Sequence, residues 1–514
     1  MFVKKPPFSR CLMLWVLLAM SATGAERPNI LWIIAEDMGP ELGCYGTPEV
    51  HTPVLDDLAA RSVRYTNAQT VTPVCSTARS SLMTGMFAMS IGAHNHRSNR
   101  TGFHPLPDGV RVLTDWYRPA GYTTANIKRL PTDNPDPSLY AGTGKTDWNF
   151  TYQSPVDPKL EPFDTDKWND LKSHQPFYAQ INFSETHRGK DWNTAHLHID
   201  KQDWVDPEKV SIPPYYPDHP VTRAVWAQYL NNCMVVDKKV GYLRDLLKRD
   251  GLDKNTVIVF MGDHGRAMPR GKQWPYSSGL SIPLIIYWPE DNAALPAPEH
   301  YARGTVTSQL VASIDVSATS LAMVGIPKPA KMQGRILFGP DKDPNRDYLF
   351  AGRDRGDETV FHIRTAFDGR YRYIRNKYPE RPFLQLNRYK EASYPIIGLM
   401  RYLHEKGQLT GPPAALMADS RPVEELYDLQ SDPWEIENLA DNPDLGQVKA
   451  TLIAQLEAWQ KTINDQGRTP ESDEEIAVHE AAMKKAYDKG LSRRVPDWFL
   501  SHPALGPYKI KNKS

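Results

Sequence analysis

Three apolar runs in the chain each end in polar or charged residues. They occupy residues 29–37 (NILWIIAED), 177–187 (FYAQINFSETH) and 255–265 (NTVIVFMGDHG). Apolar runs of this length, with helical patterns between them, predict buried strands of a mainly parallel sheet with helices on both faces. Shorter runs at residues 121–127 and 283–289 predict further strands. The first part of the chain is therefore predicted to be an α/β domain.

A helical pattern precedes the third of these strands. Apolar residues recur at three- and four-residue spacing through residues 224–251, and Gly251 is placed to end the helix. Cys233 lies on the apolar face of this pattern. We therefore expect its thiol to be part of the hydrophobic core.

The pattern changes after about residue 350. Residues 360–378 alternate between apolar and polar around an Asp-Gly pair, which predicts an antiparallel hairpin. Residues 448–467 predict an amphipathic helix that stops at Gly467. The pattern indicates a smaller α+β domain with an antiparallel sheet, followed by a surface helix and a charged tail in the last 45 or so residues.

The first 25 residues have the pattern of a cleaved secretory signal peptide. Lys4, Lys5 and Arg10 precede an apolar run of about ten residues, and small residues follow it. That run is too short to span a bilayer, which takes about 20 apolar residues. We therefore expect an exported protein, periplasmic or extracellular, with no membrane partner. An uncleaved membrane anchor is the alternative.

Composition narrows the possible partners. Lys plus Arg and Asp plus Glu both number 61, so no global field attracts nucleic acid or a membrane, and any anion site must be local. Removal of the signal peptide leaves Cys44, Cys75 and Cys233. An odd number in an oxidising compartment argues against a disulfide framework. Cys44, in the turn-like LGCYG, remains either structural or paired.

Cys75 lies in the segment PVCSTARSSLMTG, residues 73–85. If a helix begins just after Cys75, its side chain faces the positive end of that helix, and Arg79 lies one turn further on. Such an anion pocket lowers the pKa of a thiol and allows a cysteine nucleophile. The alternative is a cysteine that simply packs at the start of a helix.

Two pairs of residues with metal-ligand character end predicted strands. They are Glu36 with Asp37, and Asp263 with His264. Ligands collect beyond the carboxyl ends of parallel strands, and oxygen-rich clusters suit a hard divalent cation such as calcium or magnesium. A thiolate would be a poor ligand for such an ion. The mismatch suggests that position 75 presents oxygen instead of sulfur.

The sequence resembles the formylglycine-dependent sulfatases of the alkaline-phosphatase superfamily along nearly all of its mature length. The family signature begins Cys-x-Pro-x-Arg or Cys-x-Ala-x-Arg and continues to Leu-x-Thr-Gly; the matching residues are Cys75, Arg79, Leu82, Thr84 and Gly85. The resemblance implies that a formylglycine-generating enzyme oxidises Cys75 and that the hydrated aldehyde attacks sulfur. It also implies an alkaline-phosphatase-like catalytic domain over residues 26–350 and a C-terminal α+β subdomain over residues 351–514.

The resemblance also implies roles for individual residues. It makes five positions the ligands of one divalent metal, calcium or alternatively magnesium: Glu36, Asp37, Cys75, Asp263 and His264. Imidazole is an unusual calcium ligand, so His264 could contact the sulfate instead. The catalytic set that it implies is Cys75, Arg79, Lys145, His187 and Lys272. In that set the basic residues neutralise the sulfate, and His187 with Lys272 serves the leaving group.

The sequence departs from the family pattern at two positions. Thr77 stands where Pro or Ala is usual, which leaves open how efficiently Cys75 is modified. Asp147 stands where histidine is usual in Gly-Lys-x-His, which leaves open the group that assists attack or departure. Further candidates for substrate binding are His94, His96, Arg353 and Arg355. For the arginines the alternative is a salt-bridged loop, and for the histidines an ordinary loop position.

Among human-type family members, the strand ends and C-terminal segments most resemble heparan N-sulfatase. The resemblance therefore implies hydrolysis of a sulfate ester or sulfamate on a sulfated oligo- or polysaccharide, either a glycosaminoglycan or an algal polymer. Two alternatives remain. One is a metal-dependent phosphodiesterase or phosphonate hydrolase of the same superfamily, and the other is a catalytically inactive protein that binds sulfated glycans.

Overall fold

The computed structural model describes residues 27–98, 102–131, 133, 144–290, 292–469 and 471–488. The predicted signal peptide and the tail beyond residue 488 lie outside these residues. Within them, no helix is both long enough and apolar enough to cross a bilayer.

The larger of two sheets has eight strands. They are β1 (Asn29–Ala35), β2 (Val63–Gln69), β3 (Thr123–Arg129), β4 (Thr165–Lys167), β5 (Phe177–Phe183), β6 (Thr256–Gly262), β7 (Leu284–Tyr287) and β8 (Val306–Ala312). Their order is β4-β3-β5-β1-β6-β7-β2-β8. Strand β7 runs antiparallel to both of its neighbours, and the other pairings are parallel. This confirms the predicted mixed, mainly parallel sheet, including all five strands that the sequence indicated.

Helices lie along the chain between and after these strands. They are α1 (Pro53–Ala60), α2 (Cys75–Thr84), α3 (Leu113–Tyr117), α4 (Trp168–Ser173), α5 (Pro220–Arg249), α6 (Ser277–Leu280), α7 (Ser313–Ala322), α8 (Arg388–Ser393), α9 (Pro395–Glu405), α10 (Gly411–Ala415), α11 (Gly446–Thr462) and α12 (Asp473–Asp488).

Successive side chains of the central strand β1 face opposite layers of helices. Leu31 and Ile33 pack in a core that includes side chains of α1 and α5. Ile30 and Trp32 pack in a second core with side chains of α2, α3 and α7. Because both faces of the strand are covered, every position in it is buried and the sequence is apolar from Ile30 to Ala35.

The smaller sheet is antiparallel. It contains β9 (Leu349–Arg353), β10 (Ile363–Phe367), β11 (Tyr371–Asn376) and β12 (Glu424–Asp428), in the order β12-β11-β10-β9. Strands β10 and β11 form the hairpin predicted around the Asp-Gly pair. The sheet begins close to the predicted domain boundary after residue 350, and that boundary stays a prediction.

The helix ends agree with the sequence at one site and differ at another. Helix α5 ends at Arg249, Gly251 follows with φ of 70°, and the thiol of Cys233 is fully buried, as predicted. Helix α11 does not extend to Gly467 but ends at Thr462. Asn464, with φ of 50°, takes the left-handed conformation that often ends a helix, so the predicted stop at Gly467 was wrong.

Candidate active site

The polar ends of β1 and β6 lie side by side. Ala35 pairs in register with Gly262, so the residues that follow both strands share one edge of the sheet. The backbone N–H of Asp37 donates to Asp263 Oδ1 at 2.9 Å. A Cβ on Gly262 would lie 2.3 Å from the carbonyl oxygen of Met38, so the two chain segments can approach this closely only at a glycine.

Cys75 is the first residue of α2, as the signature segment predicted, and it is buried. Its Sγ lies 3.3 Å from His264 Nε2 and 3.5 Å from Asp37 Oδ1. Burial alone would raise the pKa of this thiol, but the charges of Lys145 and Lys272 lower it to about 5. The helix start thus places a strongly polarised side chain between acidic strand ends and basic residues.

Four of the five predicted metal ligands form one group. Asp37, Cys75, Asp263 and His264 each offer a ligand atom, and these atoms lie within 4.8 Å of one another. Burial by itself would raise the pKa of Asp37, but the charges of Lys272, His187 and His264 hold it well below its usual value. Buried carboxylates that stay ionised suit a hard divalent cation. The donor set therefore fits a metal ion.

The orientation of His264 is set by its backbone surroundings. Its Nδ1 is 2.8 Å from the carbonyl oxygen of Gly265, and its Nε2 is 3.0 Å from Asp37 Oδ1. The ring nitrogen that faces the group is therefore Nε2, while Nδ1 is held by the backbone.

The structure does not bring Glu36 into this group of ligand atoms. Its Oε2 accepts a hydrogen bond from Lys145 Nζ at 2.7 Å. Its Oε1 is buried without a hydrogen-bond partner and lies 3.9 Å from Arg79 Nη2, which also lacks one. A buried pair of unsatisfied polar atoms beside Asp263 is consistent with a site built for an additional ligand.

The predicted basic residues bind the acidic ones. The bond between Lys145 and Glu36 is described above, and the other two residues make similar contacts. Arg79 donates from Nε to Asp263 Oδ2 at 3.1 Å and from Nη1 to Asn182 Oδ1 at 2.5 Å. Lys272 Nζ lies 2.8 Å and 3.0 Å from the two oxygens of Asp37. Burial opposes the charge of Lys272, but Asp37 raises its pKa well above the usual value. The charges are thus fixed in position and available to an anion.

His187, which follows β5, reaches the same edge of the sheet. Its Nε2 lies 4.0 Å from Asp37 Oδ2, and its ring stacks on Tyr389 with the centroids 6.2 Å apart. About a quarter of its side chain, 23%, is exposed, whereas Asp37 is fully buried. The imidazole therefore lies between the buried ligands and the solvent.

Asp147, one of the two positions that depart from the family pattern, belongs to a second charged cluster. Asp147, with φ of 49°, lies 4.0 Å from Lys145 Nζ and 3.8 Å from Arg97 Nε. Burial alone would raise its pKa, but Lys145 and Arg97 lower it. His96 Nδ1 is 2.9 Å from Asp357 Oδ1, while its buried Nε2 has no hydrogen-bond partner.

The remaining substrate-binding candidates lie in other surroundings. Arg355 pairs with Glu471 at 2.8 Å, which matches the alternative of a salt-bridged loop. Arg353 donates to Thr359 at 2.7 Å and stacks against aromatic rings. His94 lines a cavity of only about 20 Å³. The described residues show no hydrogen bond or ion pair between these three and the four grouped ligands.

The sequence did not single out several residues that hold the site. Asn182 accepts from Arg79, and it is one of two polar residues inside a fully buried strand, a signal that could have marked it. Tyr389 and Asp357 come from the second half of the chain. Neither belongs to a local pattern that predicts contact with the strand ends.

Comparison with known proteins identifies the family. A family model described as "Sulfatase" matches residues 28–326. The chain is 33% identical to an ulvan-active sulfatase of Formosa agariphila over 87% of this chain and 77% of the relative. It is 26% identical to human N-sulphoglucosamine sulphohydrolase over 88% of this chain and 93% of the relative.

Solved structures agree on the fold. A 2-O glycosaminoglycan sulfatase superposes with a TM-score of 0.57 at 19% identity and covers 88% of this chain and 96% of its own. The family model spans more than half of the chain and includes both acidic strand ends, Cys75 and Lys272. The chain therefore belongs to the sulfatase family and is a sulfuric ester hydrolase.

Proposed function

We propose that this protein hydrolyses sulfate esters or sulfamates of a sulfated carbohydrate, either a glycosaminoglycan or an algal polysaccharide. The observation that carries the proposal is the position of Cys75 among Asp37, His264 and the basic residues. The two relatives described above support the substrate class, since one is named for ulvan and the other for N-sulfoglucosamine.

We propose that residue 75 acts as formylglycine and that one divalent ion, calcium, binds beside it. Asp37, Asp263, His264 and residue 75 would hold the ion, and Glu36 Oε1, which is buried without a hydrogen-bond partner, is the fifth candidate ligand. When present, the aldehyde hydrate supplies an oxygen nucleophile and the ion supplies positive charge for the sulfuryl oxygens. Support comes from the carboxylate-rich donor set. Carboxylate oxygens suit such an ion, whereas a thiolate at position 75 would be a poor ligand for it.

The basic residues bind and orient the sulfate group. Arg79, Lys145 and Lys272 each have a nitrogen held on a carboxylate of the site, so their charges are positioned before substrate arrives. Charge that is fixed in advance in a water-poor site stabilises the extra negative charge of the transition state without reorganisation. Arg79 Nη2, which has no hydrogen-bond partner, would donate to a sulfate oxygen.

His187 protonates the departing oxygen or nitrogen of the sugar, assisted by Lys272. Its ring lies on the solvent side of Asp37, where a leaving group would face outwards. Tyr389 stacks on this ring and limits its rotation. Asp147 or Lys145 would assist deprotonation of the remaining hydroxyl of residue 75, so that sulfate leaves and the aldehyde is restored, in place of the histidine that is usual in the family.

We further propose that the protein is exported to the periplasm or the cell exterior and that a formylglycine-generating enzyme matures it. The pattern of residues 1–25 supports export, and residues 73–85 carry the segment that the maturing enzyme would read. Residues 26–350 would form the catalytic domain and residues 351–514 the C-terminal α+β subdomain. The position of the second sheet supports this division.

The experiment that tests the proposal combines mass spectrometry with activity. We expect the peptide that contains residue 75 in active protein to have lost sulfur and gained oxygen. The Cys75→Ala variant should release sulfate from glycans at least about 10³-fold more slowly, because the nucleophile is gone. An unmodified thiol in fully active protein would refute the mechanism.

The same preparation separates the two alternatives. A phosphodiesterase or phosphonate hydrolase would turn over those esters faster than sulfate esters. A silent binding protein would bind sulfated glycans tightly and release no sulfate, with residue 75 still a thiol.

A further inference from the structure

A cavity of about 300 Å³ lies next to the candidate active site, at the lower end of the volumes typical of ligand pockets. Its lining residues are Arg188, Gly189, Lys190, Trp192, Asn193, Tyr389 and Ser393. We propose that this cavity is a subsite for a second acidic group of the substrate, a carboxylate or sulfate on the sugar next to the one that loses its sulfate. The inference rests on the proposed function and extends it to the class of glycan.

Arg188 is the strongest evidence for an anion subsite. Arg188 is only 6% exposed, yet no described carboxylate forms an ion pair with it. Nε donates to the carbonyl oxygen of Ala267 at 3.1 Å, Nη2 lies 3.2 Å from the sulfur of Met268, and no described group accepts from Nη1. Burial of a guanidinium has an unfavourable desolvation free energy, and without a counter-ion no attraction offsets it.

Some buried arginines of this protein show the usual arrangement, a bond to a carboxylate, while others, such as Arg353, also lack a described carboxylate partner. Arg364 binds Asp465 at 2.8 Å and Arg79 binds Asp263 at 3.1 Å. Burial lowers the pKa of Arg188 to about 10, and it remains charged at neutral pH. Arg188 thus differs from Arg364 and Arg79 in two ways: it has no carboxylate, and it lines an open cavity.

The guanidinium is held rigidly for recognition. Its Cζ lies over the Trp192 ring, 3.7 Å from the ring centroid, and 5.2 Å from the centroid of the Tyr394 ring. The backbone carbonyl of Trp192 in turn accepts hydrogen bonds from Gln228 and Asn232 of α5. A preorganised, planar guanidinium suits bidentate binding of a carboxylate or sulfate.

The cavity is connected to the catalytic residues through one wall. Tyr389 lines the cavity, stacks on His187, and has Lys272 Nζ 5.3 Å from its ring centre. Its hydroxyl donates to the carbonyl oxygen of Arg188 at 3.1 Å. Because the Tyr389 ring both stacks on His187 and lines the cavity, a sugar next to the leaving group would reach the cavity.

The other lining groups suit a sugar. Asn193 and Ser393 offer an amide and a hydroxyl to sugar hydroxyls, and the exposed Lys190 adds a second cation at the cavity. Two cations, two aromatic rings and short polar side chains match an acidic saccharide better than an apolar ligand.

The test measures substrate preference rather than overall rate. The substrates are a sulfated oligosaccharide with uronic acid neighbours, the same oligosaccharide with its carboxylates reduced to alcohols, and a pair that differs by one neighbouring sulfate. We expect the parent protein to prefer the acidic member of at least one pair by about tenfold in kcat/KM. The pair that shows the preference identifies the acidic group as carboxylate or sulfate.

Arg188→Gln and Lys190→Gln should each reduce that preference, Arg188→Gln to near unity. The ratio is informative because a displaced His187 would slow both members of a pair alike. Arg244→Gln serves as the matched control, since Arg244 lines a different cavity, of about 550 Å³, and should leave the ratio unchanged. Equal turnover of both members by the parent, or an unchanged preference in Arg188→Gln, would overturn the proposal.

Failure of the proposed function would look different. In that case the parent would release no sulfate from a small aryl sulfate or from any oligosaccharide. Calorimetric binding of the unsulfated uronic acid oligosaccharide and of a sulfated neutral one would then decide the subsite. Binding of either ligand that weakens about tenfold in Arg188→Gln supports it, and binding that the variant leaves intact overturns it.

Discussion

Lys272 combines two duties in one side chain. It neutralises the buried Asp37, with nitrogen–oxygen distances of 2.8 Å and 3.0 Å, and its charge faces the position of the sulfate. We expect Lys272→Met to lower kcat/KM for an aryl sulfate by about 10²–10³-fold, comparable to loss of one preorganised donor to a developing charge. Steady-state kinetics measure the loss, and thermal unfolding measures the destabilisation expected when Asp37 loses its partner.

The control for this prediction is Lys254→Met, which removes an exposed lysine just before the start of β6, at the opposite end of that strand from Asp263 and His264. Added calcium should raise the melting temperature of the Lys272→Met protein more than that of the parent, because a metal ion would then be the main positive charge beside Asp37. Retention of kcat/KM to within about threefold would remove Lys272 from the proposed mechanism.

The residues that the sequence could predict are those that local patterns position. Asp37, Asp263 and His264 follow apolar strands, and parallel strands bring their carboxyl ends to one edge. Tyr389 and Asp357 reach the site only because the second half of the chain packs there, which no local spacing encodes. The partner of Glu36 was also out of reach, since its choice between Lys145 and a metal depends on side-chain geometry.

At the level of elements, the strands that could be predicted from the sequence are those whose positions are all buried. Strands β1, β5 and β6 are buried at every position, and their sequences are mostly apolar. Strands β2 and β8 contain exposed polar positions and β4 has three residues, so the sequence did not single them out. The end of α11 was misplaced because an asparagine, rather than the later glycine, takes the left-handed conformation.

The junction between β1 and β6 offers a test of how strand ends position the ligands. A Cβ at Gly262 would lie 2.3 Å from the backbone oxygen of Met38, which cannot move aside as a flexible side chain could. We expect Gly262→Ala to force Asp37 and Asp263 apart, with a loss of stability of about 1–3 kcal/mol and a marked fall in kcat. Urea unfolding and kinetics measure the two effects.

Gly446→Ala provides the matched glycine control. Gly446 begins α11, and no heavy atom lies within 4 Å of the position its Cβ would take. That variant should keep full activity and be equal to or more stable than the parent, by up to about 1 kcal/mol. Wild-type kinetics in Gly262→Ala would show that the strand junction does not set the ligand geometry.

Across the whole molecule, buried charge networks connect distant parts of the chain. Arg270, which follows the β6 strand end, donates to the backbone oxygens of Trp434 and Glu435 near β12. Arg364 on β10 binds both Asp354 and Asp465, and Asp465 follows helix α11. These contacts fix the small sheet and α11 relative to the strands that carry the ligands.

The ion-pair network around Arg364 predicts that the folded protein loses stability in acid. Burial alone would raise the pKa of Asp354, but Arg364 and His362 hold it below its usual value, and Arg364 does the same for Asp465. A carboxylate with a lowered folded-state pKa stabilises the protein fully above its unfolded pKa of about 3.9, and that stability is lost as pH falls below it. We therefore expect the melting temperature to fall steeply between about pH 4 and pH 2.

Asp354→Asn tests the origin of this slope. The variant should be less stable at pH 7, by about 3 kcal/mol, because one carboxylate of a buried ion network is gone. Its melting temperature should fall less between about pH 4 and pH 2, because Asp354 no longer takes up a proton on unfolding. Asp444→Asn, at an exposed position, should follow the parent at every pH. Parallel melting curves for the parent and Asp354→Asn across this range would show that the acid sensitivity arises elsewhere.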